Sequence, residues 1–118
     1  MNINVPAIAE ELYRNSHGCV YQCDISNKIY VEFGDSLTAF RINNFLNFKQ
    51  LIDRIDIHTM IFNLSDEYDY EVVQAPHSDT KYVLTLCEII KLRELLEGAK
   101  FAIYVNSTLH ELLGEYAI

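Results

Sequence analysis

The sequence predicts a single α+β domain, residues 1–118, built on a mainly antiparallel sheet. Short runs rich in β-branched and aromatic residues alternate with longer segments of helical periodicity. A weak internal repeat relates residues 40–55 to residues 84–99, with matching positions 44 apart. The repeat pairs apolar residues: Phe40 with Leu84, Ile42 with Leu86, Phe45 with Ile89, Leu46 with Ile90, Phe48 with Leu92, Leu51 with Leu95, and Ile52 with Leu96.

The N-terminal segment predicts a short amphipathic helix over residues 6–14. Asn4 is a candidate N-cap, and Pro6 suits the first helical turn because its missing N–H would have no intrahelical acceptor there. The apolar stripe of this helix consists of Val5, Ile8, Ala9 and Leu12.

The strongest β signal follows, over residues 19–24 and 28–33. Ile29, Val31 and Phe33 alternate with polar residues, which is typical of a half-buried antiparallel strand. Gly34 and Asp35 form a favoured hairpin pair, so residues 37–42 are expected to return beside the second strand.

Each half of the repeat then predicts a helix and a further strand. In the first half a helix begins near Asn44, with Asn43 as its cap, and residues 57–63 form the strand. In the second half, strands at residues 70–75 and 81–84 lead into a helix that ends at Gly98.

A capping box at Thr85 and Glu88 marks the start of that second helix. Residues 101–106 are predicted as the last strand, and a short final helix begins at Thr108. We therefore expect two strand–strand–helix–strand units, roughly residues 19–63 and 64–106, with both helices on one face of the sheet.

Composition narrows the classes of function. The net charge of −8 argues against nucleic acid and anionic membrane surfaces, which both require clustered cations. No signal peptide or segment of about 20 apolar residues is visible, and three cysteines fit a reducing compartment. We expect a soluble cytoplasmic protein without a cofactor.

His17, Cys19 and Cys23 are the first candidates for chemistry, as zinc ligands or as a reactive thiol with its partner. On one strand the two cysteines would lie roughly 13 Å apart, too far for a shared metal or a disulfide. Free cysteines acting as small buried hydrophobes are the favoured interpretation, and no metal is expected. The sequence carries no Gly-x-Ser-x-Gly, phosphate-loop or His-Glu-x-x-His motif.

Tyrosines are the remaining candidates, because they fall in or beside predicted strands. A ring with a polar tip suits a partly covered sheet face that binds a ligand or a second subunit. The candidates are Tyr21, Tyr30, Tyr70, Tyr82 and Tyr104. The expected function is a non-enzymatic interaction module, a homodimer or the binder of another protein. The alternative is a small metal- or thiol-dependent enzyme or sensor that uses Cys23 with His17 or Cys19.

The run Tyr21-Gln22-Cys23 followed by residues 29–35, Ile-Tyr-Val-Glu-Phe-Gly-Asp, resembles the opening of a small uncharacterised bacterial domain family of Bacteroidetes type. The resemblance continues more weakly through Phe45, Phe48, residues 84–86 and Glu88. In that family a second cysteine often completes a Cys-x-x-Cys arrangement, and Ser26 stands at the matching position here. The resemblance implies no activity, because the function of the family is unknown.

Overall fold

The α+β fold is confirmed in a computed structural model, which describes residues 4–62 and 70–116, with side chains through residue 109. The first sheet is an antiparallel meander of four strands in the order β1-β2-β3-β4, and the second is a two-stranded hairpin. The elements in chain order are β1 (Glu10–Arg14), β2 (Gly18–Cys23), β3 (Lys28–Phe33), β4 (Ser36–Arg41), α1 (Ile42–Asp53), α2 (Ile57–Phe62), β5 (Glu71–Gln74), β6 (Lys81–Leu84) and α3 (Leu86–Tyr116).

One face of the four-stranded sheet, here the inner face, packs on both α1 and α3. Alternation along β3 places Ile29, Val31 and Phe33 on this face, where they join one buried cluster with residues of the two helices. The helix residues of the cluster are Phe45, Phe48 and Ile52 of α1, and Ile89, Leu92, Leu95, Leu96 and Ala99 of α3. The expectation that both helices lie on one face is therefore confirmed.

The predicted helix over residues 6–14 is wrong, because residues 10–14 form β1. This strand pairs with β2, from Glu10 opposite Gln22 to Arg14 opposite Cys19, and the register shifts between Glu11 and Tyr13. At such a bulge two neighbouring side chains can turn towards the same side. Leu12 and Tyr13 both pack against the core. Because of the bulge, the core-facing residues of β1 are adjacent in the sequence and do not alternate with polar residues as in a regular strand.

The predicted strand over residues 57–63 is also wrong: residues 57–62 form α2, and residue 63 lies outside the described ranges. The Asp56 carboxylate accepts hydrogen bonds from the Thr59 backbone N–H at 3.0 Å and from its hydroxyl at 2.6 Å. This N-cap stabilises the first turn. Ile57 and Met60, three residues apart, pack against the core.

The strand predicted over residues 101–106 and the separate final helix are wrong as well, because α3 runs without interruption for 31 residues. It starts as predicted, since Thr85 N–H donates to Glu88 Oε1 at 3.0 Å and Glu88 N–H donates to Thr85 Oγ1 at 3.3 Å. At Thr108 the hydroxyl donates to the Tyr104 carbonyl at 3.0 Å, within a helix that already continues.

Gly98 does not end α3, and its role is close packing. A Cβ atom at this position would lie 2.5 Å from ring atoms of Tyr13, which crosses the helix from β1. The missing side chain therefore lets the strand and the helix approach each other.

The internal repeat appears in the structure as two strand–strand–helix units, β3–β4–α1 and β5–β6–α3. The expected boundary between the halves, at residues 63 and 64, lies outside the described residues. Equivalent residues of the two units meet directly, since the hydroxyls of Thr38 and Tyr82 share a buried hydrogen bond of 2.6 Å. This bond joins the two sheets.

A second equivalent pair, Lys49 and Arg93, ties α1 to α3. Lys49 Nζ lies 2.6 Å from both Asp53 Oδ2 and Glu97 Oε2. Burial opposes the charged ammonium, but the bonds to these carboxylates outweigh it, so the pKa of Lys49 is raised. Arg93 donates to the backbone carbonyls of Ile52, Asp53 and Ile55, at 3.1, 3.0 and 2.7 Å, and so caps the C-terminus of α1.

Candidate functional site

The predicted His–Cys cluster is spread along β2. Cys19 and Cys23 lie on the outer face of the sheet, opposite the helices, and are 0% and 2% exposed. Four residues of one strand separate them by roughly 13 Å. The His17 ring stacks on Phe33 of the core, with centroids 6.0 Å apart. Within the described ranges, no three His, Cys, Asp or Glu side chains are grouped closely enough to hold a metal ion.

Cys19 belongs to a polar cluster on the outer face. Its thiol donates to Glu11 Oε1 at 3.3 Å, and Arg14 Nε donates to the same oxygen at 2.9 Å. Arg14 also donates to the Tyr21 hydroxyl at 3.3 Å. Burial raises the pKa of Cys19, so the thiol stays protonated and is a poor nucleophile at neutral pH.

Cys23 has the opposite electrostatic environment. The side chain and then the backbone N–H of Ser26 donate hydrogen bonds to the sulfur and lower the pKa of Cys23. Ser26 lies in the turn between β2 and β3, where Asn27 adopts a positive φ of 54°. Because the Cys23 side chain is almost fully covered, this conformation does not present the sulfur to a substrate.

The five candidate tyrosines do not form one surface. Tyr21 and Tyr30 are neighbours on the outer face, as partners in the β2–β3 register. Tyr82 is buried in the core, where its ring lies 5.1 Å from that of Phe48. Tyr70, just before β5, and Tyr104 are exposed on other parts of the molecule. Tyr104, predicted in a strand, lies in α3.

Two exposed aromatic side chains lie side by side on the part of α3 whose side chains the structure describes, residues 86–109. Phe101 and Tyr104 are 66% and 70% exposed and lie about one turn apart. Ile103, on the opposite side of the helix, faces residues of the sheet. We call Phe101 and Tyr104 the α3 aromatic surface. The sequence prediction named Tyr104 as an interface candidate but placed it in a strand, and therefore missed its pairing with Phe101.

A second exposed apolar area lies on the β5–β6 hairpin. Val72 and Val83 are register partners, 60% and 58% exposed, and Tyr70 lies next to β5. Aliphatic side chains offer less contact area than the rings of α3. The hairpin is therefore a weaker candidate interaction surface than the α3 aromatic surface.

A polar groove lies where α3 passes the end of the sheet. It consists of two neighbouring cavities of about 340 and 630 Å³, which share Gln22 and Ile103 as lining residues. The smaller cavity is lined by the acidic residues Glu10 and Asp24, and the larger by the basic residues Lys28 and Arg41. In the strand registers Glu10 shares a row with Gln22 and Ile29, whereas Lys28 and Arg41 share the next row with Cys23 of the outer face.

Part of this groove follows from the sequence. Lys28 and Arg41 are opposite each other in the β3–β4 register, because the hairpin at Gly34 and Asp35 fixes that pairing. The contribution of Ile103 depends on how far α3 extends, which the sequence did not indicate.

Comparisons of the chain with protein-family models, with curated proteins and with solved structures find no match. Across the described part of the chain, no helix combines the length and the apolar character that crossing a membrane requires.

Proposed function

We propose that the protein is a non-enzymatic interaction module that forms a homodimer through the α3 aromatic surface. The observation that carries this proposal is the exposure of Phe101 and Tyr104, 66% and 70%, on one side of a helix. Large aromatic side chains of this kind are enriched in interface cores. On a monomer they would leave a contiguous apolar area in water.

A second copy is the occupant that suits this surface. Phe101 and Tyr104 are uncharged, so the surface offers no charge complementarity to a basic partner in spite of the net charge of −8. A two-fold axis crossing α3 between these residues would place Phe101 of each copy against Tyr104 of the other. Such an isologous contact is the commonest form of homodimer.

The available area predicts a weak dimer. Aromatic side chains bury about 150–250 Å² each, so two rings at this exposure offer on the order of 270 Å² per protomer. At about 25 cal/mol/Å², the two copies gain on the order of 13 kcal/mol before association costs of about 4–15 kcal/mol. The balance lies between about 9 kcal/mol of net attraction and none, so we expect at most a weak dimer. Salt is expected to strengthen it, because two copies of charge −8 repel each other.

The test is sedimentation equilibrium over a concentration series, with the wild type and the double variant Phe101→Ser, Tyr104→Ser. The double variant is expected to stay monomeric with an unchanged circular dichroism spectrum. Ile25→Ser is the matched control, because Ile25 is 81% exposed in the turn between β2 and β3. A wild type that is monomeric throughout, or a dimer that survives the double variant but is lost in Val83→Ser, would refute the proposal.

The proposal includes a cytoplasmic location and no nucleic-acid partner. Cys19, Cys23 and Cys87 are free thiols, which supports a reducing compartment, and the acidic charge disfavours binding to phosphates. Membership of the bacterial family that the sequence resembles remains a hypothesis alongside it.

A further inference from the structure

We infer that the free edge of β5 binds an extended basic peptide, which joins the β5–β6 hairpin as a third, antiparallel strand. The peptide lies in a groove between β5 and the C-terminal end of α1. This site is distinct from the proposed dimer surface, because the groove is formed by β5 and the end of α1, whereas the dimer surface belongs to α3.

The groove, here called the β5 groove, is a cavity of about 450 Å³ that runs along the strand. One wall is β5 itself, Glu71–Gln74, and the other consists of Leu51 of α1 and of Arg54, Ile55 and Asp56 just after it. The side chains of Val72 and Val73 point to opposite faces of the hairpin, yet both residues line this cavity. A space that touches both lies beside the strand, at its edge, rather than over one face.

The backbone of β5 presents hydrogen-bonding groups to this groove. Ala75 N–H donates to the Thr80 carbonyl at 3.0 Å, so these opposed residues form a hydrogen-bonded pair. The register continues from them without a shift along the whole of β5. Because bonded and non-bonded pairs alternate in an antiparallel ladder, the N–H and C=O groups of Val72 and Gln74 point away from β6. Among the described residues, β6 is the only strand that pairs with β5, so these groups are available to an added strand.

The edge of β5 lacks the features by which proteins commonly block edge strands, such as a bulge, a proline or a lysine. β1, at one edge of the four-stranded sheet, carries a bulge between Glu11 and Tyr13. β5 has the sequence Glu-Val-Val-Gln and pairs in regular register. It is therefore open to pairing over its whole length of 4 residues, which corresponds to about 13 Å of extended chain.

The apolar wall of the groove selects an aliphatic side chain at one position of the peptide. Val73 and its register partner Tyr82 face the core, and Leu51, which is 40% exposed, lies on the α1 side of the groove. The peptide residue opposite Val73 belongs to a non-hydrogen-bonded pair, in which the side chains lie closest. An aliphatic side chain there packs between Val73 and Leu51 and covers apolar surface that is open to water in the free protein.

The charge of the groove selects a basic residue two positions further along the peptide. Glu71 lies two residues from Val73, and therefore on the same side of β5. Arg54 and Asp56 carry opposite charges, and the Asp56 carboxylate is already bonded to Thr59, so Glu71 gives the groove its net negative charge. A Lys or Arg opposite Glu71 forms a cross-strand ion pair, and the net charge of −8 attracts a basic peptide on approach. In its own N-to-C direction the peptide therefore has the pattern x–aliphatic–x–basic.

The experiment titrates the isotope-labelled full chain with the capped peptide acetyl-Ser-Thr-Ile-Val-Lys-Ser-amide and follows amide hydrogen exchange by NMR. The N–H groups of Val72 and Gln74 are expected to exchange rapidly in the free protein and about tenfold more slowly with saturating peptide. Those of Glu71 and Val73, bonded to β6, are expected to be protected already without peptide. No slowing at Val72 and Gln74 with millimolar peptide would overturn the inference. Protection that rises with protein concentration in the absence of peptide would also overturn it, because a second copy would then occupy the edge.

N-methylated peptides distinguish strand addition from other modes of binding. A methyl group on the backbone nitrogen of the peptide valine, opposite Val72, removes an N–H that donates to the Val72 carbonyl, and is expected to weaken binding about tenfold. A methyl group on the nitrogen of the peptide isoleucine, opposite Val73, is the matched control, because that N–H points away from β5. Equal effects of the two methyl groups would refute the addition of a strand in this register.

Protein variants locate the site. Replacing the peptide lysine with glutamate is expected to weaken binding to the wild type about fivefold, and distinctly less to Glu71→Gln. Leu51→Ser is expected to weaken binding several-fold, whereas Ile90→Ser, which removes a 49% exposed side chain of α3, is the control and is expected to bind like the wild type. If the lysine replacement acts equally in Glu71→Gln, or Leu51→Ser binds like the wild type, the β5 groove is not the binding site.

The titration is repeated with the Phe101→Ser, Tyr104→Ser variant, which keeps this inference separate from the proposed dimer. Unchanged peptide binding by that variant is expected, whether or not the wild type dimerises through α3. Loss of peptide binding in it would place the peptide on α3 and overturn the assignment to β5.

Discussion

Replacing Gly98 with Ala tests the packing of β1 on α3 through the sign of its effect on stability. In the interior of a helix, Gly→Ala ordinarily stabilises a protein by about 0.5–1 kcal/mol, because alanine loses less backbone entropy on folding. At position 98 the added Cβ would lie 2.5–2.6 Å from three ring atoms of Tyr13, including the ring carbon nearest its backbone. We therefore expect the opposite sign.

The magnitude follows from the geometry. Inserting a methyl group into a filled contact costs about 1–3 kcal/mol when neighbours cannot move freely. The backbone of Tyr13 is held by the pairing of β1 with β2, opposite Val20, so the Cγ atom of its ring cannot move away without disturbing the sheet. The cost exceeds the gain in helix propensity, and Gly98→Ala is expected to destabilise the protein by about 1–2 kcal/mol.

Urea denaturation of four proteins measures this effect: the wild type, Gly98→Ala, Tyr13→Ala and the double variant. In the Tyr13→Ala background the ring is absent, so Gly98→Ala is expected to stabilise by about 0.5–1 kcal/mol. The sign of the substitution therefore reverses between backgrounds. Stabilisation by Gly98→Ala in the wild type would refute the packing of Tyr13 on this glycine.

Three further predictions concern single hydrogen bonds and thiols. Tyr82→Phe leaves the hydroxyl of Thr38, which is 1% exposed, without its hydrogen-bond partner and is expected to lower the free energy of unfolding in urea by about 1–2 kcal/mol. Adding Thr38→Val is expected to recover part of this loss, and strictly additive effects of the two substitutions would contradict the hydrogen bond. Mass spectrometry of the folded protein treated with iodoacetamide is expected to find Cys87 alone modified, because the two buried thiols of β2 react only on unfolding. Alkylation of a β2 thiol before Cys87 would instead support the thiol-dependent enzyme. Hydrogen bonds from Thr59 lower the pKa of Asp56, so on acidification the unfolded chain protonates this carboxylate before the folded chain does; the stabilisation is complete at neutral pH and is lost as the pH falls through the lowered pKa. Amide exchange of α2 is expected to rise over that pH range in the wild type, and an equal rise in Asp56→Asn would contradict this role of Asp56.

The central hairpins of the fold could be predicted because their signals are local. The alternation of Ile29, Val31 and Phe33 and the turn at Gly34 and Asp35 determine β3, β4 and their register over a few residues. The start of α3 was likewise readable, because the capping box at Thr85 requires only side chains three residues apart.

The end of α3 could not be read locally. Phe101, Ile103 and Tyr104 all favour strands on their own, but an existing helix extends at the cost of one residue at a time, whereas a strand needs a partner. In the sequence, Gly98 is compatible with either of two roles, the end of a helix or a close contact with another element. Only the position of Tyr13, 85 residues earlier in the chain, decides between them.

For the candidate sites, too, the features with local sequence signals could be predicted and those that depend on distant parts of the chain could not. The opposition of Lys28 and Arg41 follows from the hairpin register and was within reach of the sequence. The groove as a whole was not, because it requires α3 to continue as far as Ile103 beside the sheet. The tyrosines were grouped by sequence composition, whereas burial separates Tyr82 in the core from Tyr104 on the surface.

The most direct test of the proposed interaction module is the distance between equivalent points on α3 of two copies. A spin label at Lys100→Cys, in a Cys87→Ser background, reports it by double electron–electron resonance. With an axis between Phe101 and Tyr104, the two labelled Cα atoms are expected about 12 Å apart, much closer than labels at Lys81→Cys. No distance beyond background at Lys100, or a shorter distance at Lys81, would contradict dimerisation through α3.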